Sequence, residues 1–145
     1  VDAIVCGVGT SGTITGIASA LKSCIPDLYV MAVEPAESPV LSGGMKGSHK
    51  IGGIGAGFVP PLYRPELVDE IFKVSSNDAL EMTKTTAKTE GLPVGISAAA
   101  AICGALNLAK REEMAGKNIV VILPDSIERY LSDSFFNYES TEPME

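Results

Sequence analysis

A glycine turn set between a strand and a helix constrains this chain more than any other feature. Gly7, Gly9 and Gly12 follow the pattern G-x-G-x-x-G. The turn comes directly after residues 1–6 (VDAIVC), an apolar run that reads as a buried strand. Beyond it, residues 13–23 place Ile14, Ile17, Ala18 and Leu21 at helical spacing, and Pro26 stops that helix. Residues 28–34 (LYVMAVE) form a second buried strand, closed by Pro35. Strand, tight turn, helix, strand is a βαβ unit, which requires parallel pairing and a right-handed crossover. The unit commits the chain to the α/β class.

The remainder keeps the alternation. Residues 35–64 are rich in glycine and proline and have almost no periodicity, a length of irregular chain that usually has a function or moves. Residues 68–74 (VDEIFKV) read as a strand. Ser75 or Ser76 caps the helix that follows, Asp78 suits the positive end of its dipole, and Gly91-Leu92-Pro93 ends it. An alanine-rich helix runs from Ser97 to about Met114, ahead of Gly116. Residues 118–123 are the last buried strand, and Pro124-Asp125-Ser126 turns it into one or two helical turns over 128–136. Residues 1–136 form one domain, and 137–145 are an acidic polar tail lying on the surface or disordered.

Composition narrows the partners. Eleven basic against 18 acidic residues give a net charge of −7, which disfavours a nucleic-acid partner but not a small anion held by backbone N–H groups. No apolar run has the length of a membrane span, and no leader pattern is seen. The chain starts at Val1, already inside a strand-like run, which reads as a piece cut from something larger. Cys6, Cys24 and Cys103 fit reduced, buried thiols of a cytosolic protein. His49 is the only histidine, so neither a metal cluster nor a Ser-His triad can be assembled, and it reads as a loop residue ordering its neighbours.

The glycine turn itself has two functional readings beside that of a plain βα turn. Glu34 follows Gly12 by 22 positions at the end of the next strand, as the acidic ribose ligand of a dinucleotide fold does. The turn is also crowded with hydroxyls, at Thr10, Ser11, Thr13 and Thr15. A phosphate monoester is a dianion with three oxygens, and it needs several converging donors at a helix N-terminus. Backbone N–H groups and Ser/Thr hydroxyls supply them without a lysine.

Four further segments turn the argument toward a phosphorylated cofactor: residues 34–44 (EPAESPVLSGG), 49–60 (HKIGGIGAGFVP), 91–97 (GLPVGIS) and 120–132 (VVILPDSIERYLS). With Gly9-Thr10-Ser11-Gly12-Thr13 they resemble, in order and spacing, the O-acetylserine sulfhydrylase (cysteine synthase) family, pyridoxal-phosphate enzymes of the tryptophan-synthase-β fold. The likeness runs from Val1 to about Phe135, and Pro124-Asp125-Ser126 looks somewhat more like the related cystathionine β-synthases.

This resemblance implies a three-layer αβα sandwich on a mostly parallel sheet, the large domain of fold type II. It implies pyridoxal 5′-phosphate as cofactor, with Gly9, Thr10, Ser11, Gly12 and Thr13 cradling its phosphate. The family usually has glycine where this chain has Ser11, whose side chain adds a hydroxyl. Ser97 matches the serine facing the pyridine nitrogen, where a neutral hydroxyl suits β-elimination. From the residues alone, Ser97 reads first as a helix N-cap. The alanines at 98, 99 and 100 would crowd the ring face slightly. Gly53 matches a glycine near the substrate carboxylate. The implied reaction is O-acetyl-L-serine plus sulfide to L-cysteine plus acetate, in the cytoplasm, by a homodimer that also takes the C-terminal peptide of serine acetyltransferase. Condensation of serine with another thiol is the alternative, and a dinucleotide-binding domain a further one. The family's Schiff-base lysine belongs to an N-terminal domain. None of Lys22, Lys46, Lys50, Lys73, Lys84, Lys88, Lys110 and Lys117 matches its position, so no catalytic residue is expected here and the isolated chain is expected to be inactive.

Overall fold

The structure, a computed structural model, describes residues 1–130. Four strands, β1 (Ala3–Gly7), β2 (Tyr29–Pro35), β3 (Glu70–Val74) and β4 (Ile119–Val121), form one sheet in the order β3-β2-β1-β4. Every pairing is parallel, with Ala3 opposite both Tyr29 and Ile119, and Met31 opposite Glu70. Helix α1 (Gly12–Lys22) connects β1 to β2, while α2 (Ser76–Glu90) and α3 (Ile96–Ala109) connect β3 to β4.

Strand alternation sorts the apolar side chains into two layers of core. Ile4, Cys6, Val30 and Ala32 pack with Ile14 and Ala18 of α1 on one face. Ala3, Val5, Met31 and Val33 pack with Val74, Leu80, Ala100, Ala101 and Leu108 on the other, under α2 and α3. The central strands β1 and β2 are therefore buried on both faces, which is why their sequences are almost continuously apolar. Helices on both sides of a parallel sheet make a three-layer α/β sandwich. The two crossovers travel in opposite directions along the sheet, so a common right hand places their helices on opposite faces.

Element ends differ from the sequence reading in instructive places. Helix α3 stops at Ala109 rather than near Met114, and only a 3-10 turn, Glu112–Met114, follows. Arg111 leaves the helical path (φ −80, ψ 140) and its guanidinium grips Glu70 of β3 with two contacts, 2.7 and 2.8 Å. The last strand spans three residues, not six, although Ile122 N–H still donates to Val5 O at 3.0 Å. A 3-10 turn at Ile127–Tyr130 opens the segment expected to be helical, and the rest of it, with the tail, lies outside the described residues. Cys6 is buried and Cys103 partly so, but Cys24 is exposed, because it falls just beyond the end of α1. Among the described residues no helix is long and apolar enough to cross a membrane.

The irregular stretch after β2 is tied down at defined points. Ile51 and Ile54 are buried in the α2/α3 core. His49 Nδ1 accepts from Ile51 N–H at 3.2 Å, so the other nitrogen carries the proton and donates to Gly55 O at 2.9 Å. Gly55 N–H in turn donates to Val8 O at 3.1 Å, joining this loop to the glycine turn.

Candidate cofactor-binding site

The chain passes from β1 to β2 on one side and returns from β3 to β4 on the other, so β1 and β4 flank a topological switch point. Loops leaving two strands in opposite directions open a crevice at the carboxyl edge, where α/β sheets bind ligands. A cleft of about 460 Å³ lies there. Its walls are residues 9–13 after β1, Gly52, Gly53 and Ile54 of the long loop, Ser97 of α3, and Asp125, Arg129 and Tyr130 after β4. The sequence-derived candidates Gly9, Thr10, Ser11, Gly12, Thr13, Gly53 and Ser97 thus share one cavity.

On the first wall, the N-terminus of α1 has one long side-chain contact, from Gly12 N–H to Thr10 Oγ1 at 3.4 Å. Its N-cap, Ser11, makes no side-chain capping bond, and the first turn holds no acidic residue. First-turn amides have no acceptor within the helix, and the dipole adds positive potential. Ser11 is left-handed (φ 71, ψ −2), the only residue other than glycine with positive φ among those described. It is 3% exposed, and its hydroxyl is buried without a hydrogen-bond partner. Ser38 has a second such hydroxyl, but it lines a void of only about 10 Å³, whereas Ser11 lines the cleft. Gly9 is dictated by contact: a β-carbon there would lie 2.3 Å from the carbonyl oxygen of Gly53. The long loop therefore rests directly on the glycine turn.

On the second wall, Ser97 is 4% exposed. It is not the N-cap of α3; Gly95 is, and that residue has no side chain to cap with. Asp125, from the segment after β4, does the capping. Its Oδ1 accepts from the Ser97 hydroxyl at 2.9 Å and from Ala98 N–H at 3.3 Å, while Oδ2 accepts from the Tyr130 hydroxyl at 2.6 Å. A β-carbon on residue 95 would meet that carboxylate at 2.2 Å, so a larger residue there would have to displace it. Ala98, Ala99 and Ala100 do not crowd the cleft: they are fully buried, packed in the apolar core away from it.

Other side chains are excluded from chemistry here. Both Glu34 oxygens are used, on the N–H groups of Leu41 (2.8 Å) and Ser42 (3.1 Å) and on the Ser42 hydroxyl, and the residue is 1% exposed. It cannot serve as a ribose ligand, which overturns the dinucleotide reading. Burial pushes the Cys6 thiol, in the cleft wall, up to about 11, so it is not a thiolate at neutral pH. Among the described residues no lysine lines the cleft, and no cluster of three or more His, Cys, Asp or Glu could hold a metal. Asp125 is the residue that the sequence reading left without a role. Its place just after the last strand, at the switch point, was the available signal.

Comparison with known proteins agrees with this geometry. The chain is 45% identical over 139 residues to a cysteine synthase of Staphylococcus aureus strain Mu50, covering 96% of this chain and 44% of that protein. The structure of O-acetylserine sulfhydrylase isoform 3 from Entamoeba histolytica matches with a TM-score of 0.94 and 47% identity, over 99% of this chain and 43% of that one. That of an O-acetylserine-dependent cystathionine β-synthase from Helicobacter pylori matches with a TM-score of 0.87 and 38% identity, over 94% of this chain and 44% of that one. The chain thus spans less than half the length of the relatives it matches. The family described as pyridoxal-phosphate dependent enzyme matches residues 1–125, which include every residue named in the cleft walls except Arg129 and Tyr130, and the chain belongs to that family.

Proposed function

We propose that this chain builds the phosphate and ring side of the active site in a pyridoxal-phosphate-dependent β-replacement enzyme, which makes L-cysteine and acetate from O-acetyl-L-serine and sulfide. The observation that carries the reading is the uncapped start of α1, with the buried, unpartnered Ser11 hydroxyl at the cleft. The donor set fits a phosphate monoester: first-turn amides, a helix dipole, and the hydroxyls of Thr10, Ser11 and Thr13, with no acidic residue in the first turn of α1. When bound, pyridoxal phosphate supplies the electron sink that lets the substrate's Cα proton and β-acetate leave before sulfur bonds to Cβ. Residues 9–13 hold the phosphate, and Ser97 offers its neutral hydroxyl to the ring nitrogen. Gly53, at φ 89 with open space at its α-carbon, leaves room for the substrate carboxylate. The lysine that holds the cofactor aldehyde and moves the Cα proton comes from residues other than these.

A cytoplasmic homodimer is part of the same proposal. So is a complex with the C-terminal peptide of serine acetyltransferase, supported by an apolar groove of about 470 Å³ flanked by the exposed Phe58 and Leu62. This groove shares Gly9, Thr10, Gly53 and Ile54 with the cleft, which also supports a second reading, in which a thiol larger than sulfide is the nucleophile. The test uses the natural polypeptide containing these residues, with pyridoxal phosphate, O-acetylserine and either sulfide or a larger thiol. One cysteine per acetate with sulfide is expected. A thioether formed faster from the larger thiol would favour the second reading, and no acetate release with either nucleophile would refute both.

A further inference from the structure

We propose that Asp125 is a positioning residue for Ser97: its carboxylate takes the hydroxyl hydrogen and so fixes the oxygen that Ser97 presents to the cofactor ring. The inference rests on the reading of Ser97 given above. A serine side chain has three staggered χ1 wells and a freely rotating hydroxyl hydrogen. Around Ser97, α3 offers only Ile96 and the alanines Ala98 to Ala101, so no side chain of the helix directs its hydroxyl. Asp125 does, through the 2.9 Å bond from the hydroxyl to its Oδ1.

The carboxylate is itself held from several directions. Ala98 N–H and the Tyr130 hydroxyl donate to it, and Gly95 N–H donates to the Asp125 backbone carbonyl at 3.0 Å. The carboxylate sits against Gly95, where a β-carbon would push it out of place. A plain helix cap would require just an acceptor for a first-turn amide. Here the Ala98 amide makes the longer contact, 3.3 Å, and the serine hydroxyl and the tyrosine make the shorter ones. Asp125 and Tyr130 also follow β4 while Ser97 begins α3, so the contact joins two separate segments of the second wall.

A double-mutant cycle on the natural polypeptide containing these residues tests the proposal, using S97A, D125A, D125N and S97A/D125A. The readouts are affinity for pyridoxal phosphate, the visible absorption of the bound cofactor, affinity for inorganic phosphate, and thermal stability. S97A and D125A should each weaken cofactor binding by about 3–10-fold, the worth of one net hydrogen bond. They should shift the absorption alike and leave phosphate affinity unchanged, because the cradle lies on the other wall. The double variant should be no weaker than S97A alone, since positioning is lost once its object is gone. D125N keeps an acceptor oxygen toward Ser97 and should lie within about twofold of the parent protein, the scatter expected of independent changes. Additive losses in the double variant would overturn the proposal. So would a D125A protein that is less stable but unchanged in absorption and cofactor affinity, which is the behaviour of a simple cap. Should D125A not fold, Y130F loosens the carboxylate from one side only, and an absorption identical to the parent would count against the idea. If S97A alone changes neither affinity nor absorption, the reading of Ser97 itself fails and takes this inference with it.

Discussion

Ser11 holds two unfavourable features at once. A left-handed backbone on a residue with a β-carbon costs about 1–2 kcal/mol, and a buried hydroxyl without a partner costs about 1–3 kcal/mol. An oxyanion in the cradle would offset the second. Ser11→Gly should therefore raise the thermal stability of the phosphate-free protein by about 1 kcal/mol or more, and gain less from added phosphate than the parent does. Thermal unfolding with and without inorganic phosphate checks this. A variant that is less stable without phosphate, yet equally stabilised by it, would show that Ser11 is no ligand. The turn that opens α1 onto the cleft was legible in the sequence because glycines and hydroxyls between a strand and a helix are local chemistry. The fate of Glu34 was not legible, since its partners Leu41 and Ser42 lie in a loop without periodicity. Nor was the link from Asp125 to Ser97, which spans 28 positions and exists only once α3 and β4 are docked.

At the scale of elements, one polar clasp fastens the amino ends of β2 and β3 to the end of α3. Glu70 accepts both nitrogens of Arg111 and the Tyr29 hydroxyl, and the Glu70 and Arg111 side chains are 27% and 29% exposed. The hydrogen bonds from Arg111 hold the Glu70 carboxyl below the ordinary carboxylate range, outweighing its partial burial. A carboxyl whose folded-state value is depressed adds stability above its unfolded value, and loses it as pH falls through the folded one. Glu70→Gln should cost about 1–2 kcal/mol at neutral pH, less than a fully buried charged pair would. It should also flatten the fall in stability below about pH 4, near the unfolded value of a glutamate. Urea unfolding across the acid range measures both, and parallel pH profiles for the two proteins would exclude the clasp. The same clasp lies where propensity overestimated α3: the helix ends at Ala109, and Arg111 beyond it turns to Glu70. The long loop makes a further element-scale case. It is anchored through His49, Ile51, Ile54 and the Gly55-to-Val8 bond, while Gly53 and Gly57, both at positive φ, lie open to solvent or only partly covered. Substrate closing over the cleft should slow amide exchange at residues 53–57, and equal exchange with and without O-acetylserine would refute a moving loop.

Across the whole molecule, topology explains what this chain can do alone. Reversal of the strand order between β1 and β4 opens the cleft, the parallel sheet points the carboxyl ends of β1 and β4 toward it, and α1 and α3 present their N-termini from opposite faces. The parallel pairing was readable from the βαβ pattern before any coordinates; the strand order, and with it the switch point, was not. Phosphate binding needs only the first wall, so residues 1–145 by themselves should bind inorganic phosphate and pyridoxal phosphate, with the largest amide shifts at residues 9–13. Turnover needs more. A lysine amine must reach the cofactor aldehyde, and none of the eight lysines lies along the cleft. Surface lysines form slow, unproductive imines with any aldehyde, so a weak visible band would not signify catalysis. Product is the decisive readout: residues 1–145 with pyridoxal phosphate, O-acetylserine and sulfide should give cysteine no faster than the uncatalysed background. Adding the remainder of a longer relative in trans should raise that rate only where it brings the lysine. Cysteine formed well above background by the chain alone, and lost when a single lysine is replaced, would mean that the cleft closes differently around its own amine. The division of the active site between these residues and others would then be wrong.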